Sequence, residues 1–187
     1  MSTNLFSRLP VLVFLLLSAY PSLVFSANPI ITHMRTADPS AHIWADGKVW
    51  LYCSHDMDSA TDYSTMDGYH VFSSTDLVTW VDHGEVLHSR DVRWGISGYM
   101  WAPDCVFKNG TYYFYYPHLD KTRTWKIGVA TSTKPEGPFV DIGNPISRTY
   151  GTDPCCFIDT DGQAYLYYGE AMVAKLRPDM LDIASHV

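Results

Sequence analysis

Asp104-Cys105-Val106-Phe107-Lys108-Asn109-Gly110-Thr111-Tyr112-Tyr113-Phe114-Tyr115-Tyr116 decides how this chain folds. An acidic residue opens a short run, Asn-Gly breaks it, and an aromatic run returns. β-Branched and aromatic residues suit a pleated surface, and Asn-Gly between two such runs signals a tight hairpin because both residues tolerate positive φ. The same order occurs twice more. Asp38-Pro39 precedes Asp46-Gly47 and a run ending at Tyr52, while Asp153-Pro154 precedes Asp161-Gly162 and a run ending at Tyr168. Two units continue into a second hairpin, through Ser73-Ser74-Thr75-Asp76-Leu77-Val78-Thr79-Trp80 in the first and Thr131-Ser132-Thr133-Lys134-Pro135-Glu136-Gly137-Pro138-Phe139 in the second. A unit of four short strands recurring every 40 to 50 residues or so is a propeller blade. The longer first interval accommodates an insertion around Asp91 to Met100. No stretch shows sustained helical periodicity, so an all-β fold is expected. The blades are placed at about 30–90, about 98–148 and from about 150 onward.

Upstream of the repeat, Met1 to Phe25 hold one charge, Arg8, and an apolar run from Leu9 that ends near Val24-Phe25-Ser26. Basic, apolar and cleavable regions in that order predict a secretory signal over residues 1–26 and an extracellular product. Pro10, Ser18 and Pro21 interrupt the run and argue against an uncleaved membrane anchor. The formal net charge of −7 disfavours nucleic acid and anionic membrane, both of which need basic patches. A neutral carbohydrate needs no such field. Secretion permits disulfides among Cys53, Cys105, Cys155 and Cys156. The adjacent Cys155 and Cys156 would point to opposite faces of a strand, and buried free thiols are at least as well supported as bridges. Neither the cysteines nor the eight histidines show a metal-ligand spacing.

Five segments together carry a resemblance. Thr36-Ala37-Asp38-Pro39-Ser40, the run from Ser73 to Trp80, Trp101-Ala102-Pro103-Asp104, Pro135-Glu136-Gly137-Pro138-Phe139 and Gly151-Thr152-Asp153-Pro154 look like successive motifs of glycoside hydrolase family 43, in that family's order. The resemblance implies a five-bladed β-propeller and hydrolysis with inversion, commonly of β-xylosides, α-L-arabinofuranosides or arabinans. It implies no required cofactor and allows a calcium ion in the axial channel, for which these residues offer no ligand spacing. The expected partner is an oligosaccharide or polysaccharide.

The chemistry can be argued from the residues. Inversion needs one carboxylate to deprotonate water and a second carboxyl to protonate the leaving oxygen, about 6.5–9.5 Å apart. Blades direct their innermost strands at a common axis, so acids at one register of successive inner strands converge. Asp38, Asp104 and Asp153 occupy comparable places in the three units. By resemblance, Asp38 matches the general base, which must stay ionised. Asp153 matches the acidic residue that orients the general acid and raises its pKa. The bland reading of each is a turn-capping Asp before Pro. Asp104 is expected to be chiefly structural or part of the site wall.

The family's general acid is a glutamate of the next blade. Glu136 sits in an outer hairpin and is set aside. Glu170, after Tyr168-Gly169, lies by spacing at the far end of a strand pair and is set aside too. The acid is therefore expected beyond Val187, and the chain reads as the N-terminal part of a longer product. Trp101, Asp104 and His55 (with Asp56) are candidate substrate-binding residues, and Trp44 or Trp94 are further candidate sugar platforms. Trp50 and Trp80 are expected to pack between blades. Two other classes share this architecture. A fructosidase-like retaining propeller would carry Arg-Asp-Pro, which is absent here, and a non-catalytic carbohydrate-binding propeller would need no acid.

Overall fold

The computed structural model describes residues 29–187, so the expected secretory segment lies outside the described residues. Their strands form three four-stranded antiparallel sheets, each ordered as in the chain. The first holds β1 (Arg35–Ile43), β2 (Val49–Asp56), β3 (Gly68–Ser74) and β4 (Val81–His88). The second holds β5 (Asp104–Lys108), β6 (Thr111–Leu119), β7 (Trp125–Ser132) and β8 (Val140–Asp141). The third holds β9 (Cys155–Ile158), β10 (Ala164–Tyr168), β11 (Met172–Leu176) and β12 (Ile183–His186). β5 contacts both β1 and β9, so the first strands of successive sheets line up side by side. That is the arrangement of propeller blades about an axis. Blade three also has a second hairpin, which its sequence conceals because β11 carries Met, Ala and Lys in place of aromatic residues.

The repeated turns have the predicted chemistry. Asn109 and Gly110 both adopt positive φ, 52° and 82°, as a two-residue hairpin with the right twist requires. Lys108 and Thr111 pair across them, and Asn109 is exposed at the tip.

The aromatic run of β6 is explained by its place in the middle blade. Side chains alternate across a strand. Tyr112, Phe114 and Tyr116 therefore face blade one, where they pack with Trp50, Tyr52, Tyr69 and Val71. Tyr115, flanked by Tyr113, faces blade three, packing with Cys156, Leu166, Tyr168, Ala174 and Leu176. Burying each such ring stabilises by about 1.5–3 kcal/mol. β2 and β10 meet blade two on one face only. The other face of β2, through Leu51 and Cys53, is covered by Ile31, Met34 and Trp80. The corresponding face of blade three leaves Phe157 and Tyr167 exposed.

The fourth strands are irregular. β8 is two residues long, β4 slips register twice against β3, and β12 slips once against β11.

Candidate active site

One end of the blades collects most of the sequence's candidates. β1 and β9 begin there, and β2, β6 and β10 end there. Asp38 sits in a register slip of β1 between Ala37 and Ser40. Its φ is 49°, and its side chain is exposed. Asp153 immediately precedes β9 with a φ of 56°, is also exposed, and accepts a hydrogen bond from Thr152 Oγ1 at 2.8 Å. Aspartate tolerates this left-handed region better than most residues, yet it still carries a cost of order 1–3 kcal/mol. Two Asp-Pro steps in separate blades thus share one uncommon backbone conformation and hold their carboxylates out of the strand ladder toward solvent.

Asp104 does not share that position, contrary to the expectation that all three acids lie at one register. It is part of the β5 ladder, opposite Tyr115, and only 5% exposed. Its carboxylate is engaged by the protein on both oxygens. Oδ1 accepts from Ser40 Oγ at 2.5 Å and contacts His42 Nε2 at 2.9 Å. Oδ2 accepts from the backbone N–H of Cys156 at 2.7 Å. Ser40 Oγ and His42 Nε2 are themselves 2.8 Å apart. With the hydroxyl proton directed at Asp104, Nε2 must carry hydrogen and donate. Asp104 therefore ties blade one to blade three, and it has no free oxygen to offer a sugar. Sequence reasoning missed Ser40 and His42. The signal was their two-residue spacing, which puts both on one face of β1.

Trp101 lies at the same end, just before β5. Its Nε1 donates to Tyr63 O at 2.8 Å. Its ring lies 4.2 Å from that of Trp125 and edge-on to Tyr63. Tyr99 meets Trp125 edge-on and receives the Arg123 guanidinium over its ring at 5.7 Å. Loops from three connections thus build one aromatic surface, on which Tyr63 is 72% exposed.

The other candidates have different surroundings. His55 joins His70, at a ring separation of 5.0 Å. It lies on the same side of β2 as Leu51 and Cys53, on the face of blade one away from blade two, where Asp82 bonds both His33 and His70. Burial pushes the His70 imidazole below its ordinary range. Burial works to raise the Asp82 carboxyl, but bonds from His33, Gly84 N–H and His70 outweigh it and hold it low. Trp44 and Trp94 are packing residues rather than platforms. Trp44 stacks on His42 at 4.8 Å and donates to Tyr52 OH, at the opposite end of β1 from Asp38. Trp94 lies over Tyr116 and its Nε1 reaches Asp141. Trp50 is buried between blades one and two as expected, whereas Trp80 packs beside Leu51 and Cys53 on the outer face of blade one rather than between blades.

Glu136 lies between β7 and β8, as its hairpin context implies. Glu170 requires a correction of placement. Gly169 N donates to Thr152 O at 2.7 Å, which brings the exposed Glu170 turn to the Asp153 end of blade three rather than away from it. All four cysteines are free thiols, with only Cys155 exposed. Burial pushes the Cys53 thiol up to about 12, which leaves it unreactive. Among the described residues no group of three or more His, Cys, Asp or Glu is placed to hold a metal ion.

Residues 26–187 match the sequence model of glycosyl hydrolases family 43. A Xylosidase/arabinosidase 43A of Humicola insolens is 45% identical over 152 residues, covering 75% of this chain and 45% of that protein. A xylosidase/arabinosidase of Bacteroides ovatus is 40% identical over 141 residues, covering 71% and 43%. The chain thus spans about half the length of the curated relatives it matches. Among solved structures, a GH43_1 enzyme from Xanthomonas citri complexed with xylotriose superposes with a TM-score of 0.78 at 37% identity, over 85% of this chain and 57% of that one. A GH43 β-xylosidase/α-arabinofuranosidase from a compost metagenome, in complex with xylotriose and in a calcium-free form, gives 0.77 at 36% identity, over 84% and 59%.

Proposed function

The chain belongs to glycosyl hydrolases family 43, and from that premise we propose that the protein is a secreted, inverting glycoside hydrolase acting on β-D-xylosides or α-L-arabinofuranosides of plant-type glycans. The observation that carries the reading is the matched pair Asp38 and Asp153, each exposed, each left-handed before proline, and each at the same end of its blade. Asp38 is the general base. Held clear of the strand ladder and open to solvent, it receives a proton from the attacking water. Asp153 works on the proton donor, which in this reading is a glutamate of the following blade. A negative charge beside that donor favours its protonated form, as an acid requires at neutral pH. Trp101, with Tyr63 and Trp125, offers the apolar face against which a pyranose or furanose ring stacks. The names of the relatives and the xylotriose in two similar structures support the pentose class.

The test is hydrolysis of aryl β-D-xyloside and aryl α-L-arabinofuranoside by the full-length secreted protein, with the anomer formed first read by NMR. Turnover with an inverted first product is expected. Binding of xylo-oligosaccharide without turnover would make the protein a carbohydrate-binding propeller, and a retained anomer would move it to the fructosidase-like class.

A further inference from the structure

The Asp104 carboxylate is placed where it can set the geometry between the two exposed aspartates. Ser40 is two residues beyond Asp38 on β1, and Cys156 is three beyond Asp153 on β9. One buried carboxylate from the strand between them accepts from both. The Ser40 contact is short, the His42 imidazole closes the triangle at 2.9 Å, and the Trp44 ring stacked on His42 keeps it in place. Hydrogen bonds to an ionised acceptor are short and strong, and 5% exposure keeps water from replacing them. Asp38 itself sits in a register slip where the β1–β2 ladder is interrupted, so that ladder does not fix its distance from blade three. The bonds through Asp104 join the two blades just beyond that slip.

We propose that Asp104 is a positioning residue, which holds the general base of blade one and the acid-tuning carboxylate of blade three at their working separation without touching substrate. This rests on the hydrolase reading above. Such reactions are sensitive to spacing, because a displacement of about 1 Å can cost on the order of 10²-fold in rate. The two sides of the clasp can be separated. Asp104→Asn retains one acceptor oxygen and cannot serve both Ser40 and Cys156 as the carboxylate does. Ser40→Ala weakens the tie to blade one, leaving His42 alone on Oδ1, and keeps the Cys156 bond intact.

In the full-length protein, Asp104→Asn is expected to lower kcat at least about tenfold with KM within about twofold, since sugar contacts are made elsewhere. Ser40→Ala should lower it less. Both variants should stay folded at the assay temperature, with Asp104→Asn unfolding at a lower temperature than the parent because it leaves a buried donor unpaired. Amide hydrogen exchange at Cys156, followed by NMR, should quicken in Asp104→Asn and stay slow in Ser40→Ala. An unchanged kcat in folded Asp104→Asn overturns the proposal, as does a rise in KM with kcat preserved. A parent with no turnover sinks the hydrolase reading instead. The Cys156 exchange rate then decides the clasp by itself, and equal protection in parent and Asp104→Asn overturns it.

Discussion

Lowering the pH below about 6.5 should destabilise the protein through His118, and replacing this residue by phenylalanine should remove a defined part of that loss. The His118 ring is fully buried in β6, among Trp94 and Tyr116. Its Nε2 has no partner, and its Nδ1 reaches Tyr99 O only at 3.4 Å. Burial pushes the imidazole below its ordinary value, against the weaker upward pull of Tyr99 and Ile96 carbonyls and Asp141. A group whose folded value is depressed binds its proton more readily when unfolded. Its stabilising contribution is complete above the unfolded value of about 6.5 and is lost as pH falls from there toward the folded value, at about 1.4 kcal/mol for each pH unit. That is a sizeable fraction of a typical stability of about 5–15 kcal/mol. His118→Phe keeps the ring, gives up one long hydrogen bond and removes an unpartnered buried nitrogen, so neutral-pH stability should change little. Urea unfolding of parent and variant between about pH 7.5 and 5.5 isolates the effect, because His70 and His83, also depressed by burial, titrate in both. The parent curve should be steeper by up to one proton's worth. Parallel curves would refute the argument. The loss has a functional side, since His118 contacts the segment that leads from Tyr99 into Trp101.

Asp38→Asn and Asp153→Asn in the full-length protein should fail differently. Loss of the base should cost about 10²–10⁴-fold on every substrate, whereas the Asp153 variant should recover rate on aryl glycosides with good leaving groups, and equal recovery in both would contradict the division of roles. Gly95→Ala should destabilise by about 1–3 kcal/mol, because its Cβ would lie 1.9 Å from His118 Cδ2. In a His118→Ala background, itself destabilised by the space the buried ring vacates, the same substitution should cost less in thermal unfolding. Asn109-Gly110-Thr111 is an acceptor sequence on an exposed tip, so secretion from a glycosylating host should add a glycan whose mass disappears in Asn109→Gln.

The blade repeat was legible because three hairpins share turn chemistry and aromatic return strands, both local properties of the chain. The third blade's outer hairpin was not, since β11 lacks the aromatic signal and takes its place by packing Ala174 and Leu176 into the interface with blade two. Asp38 and Asp153 were legible through their Asp-Pro steps. Their left-handed backbone was not, because it depends on a register slip in one case and on strand entry in the other. Asp104 looked like a third member of the same set, since spacing alone does not distinguish an acid before a strand from one inside it. Its partners lie in two other blades, and although spacing puts Ser40 and His42 on one face of β1, it ties neither them nor Cys156 to Asp104. His55 and Trp44 were sound choices by residue type, but which face or which end of a strand they occupy depends on register.

The irregular fourth strands bear on how this protein behaves when concentrated. A blade's last strand presents unpaired N–H and C=O groups to any passing chain, and a long, flat edge there would extend into a neighbour's sheet. Here β8 offers only Val140 and Asp141, and Pro138 just before it has no N–H to give. The slips of β4 around His70 and Asp82, and of β12 near Leu176, disturb the straight register that a second molecule would need. Crowded molecules should therefore collide at their rims without templating one another into ribbons. An aromatic, strand-rich protein can then stay dispersed at concentrations where one with regular outer edges would precipitate.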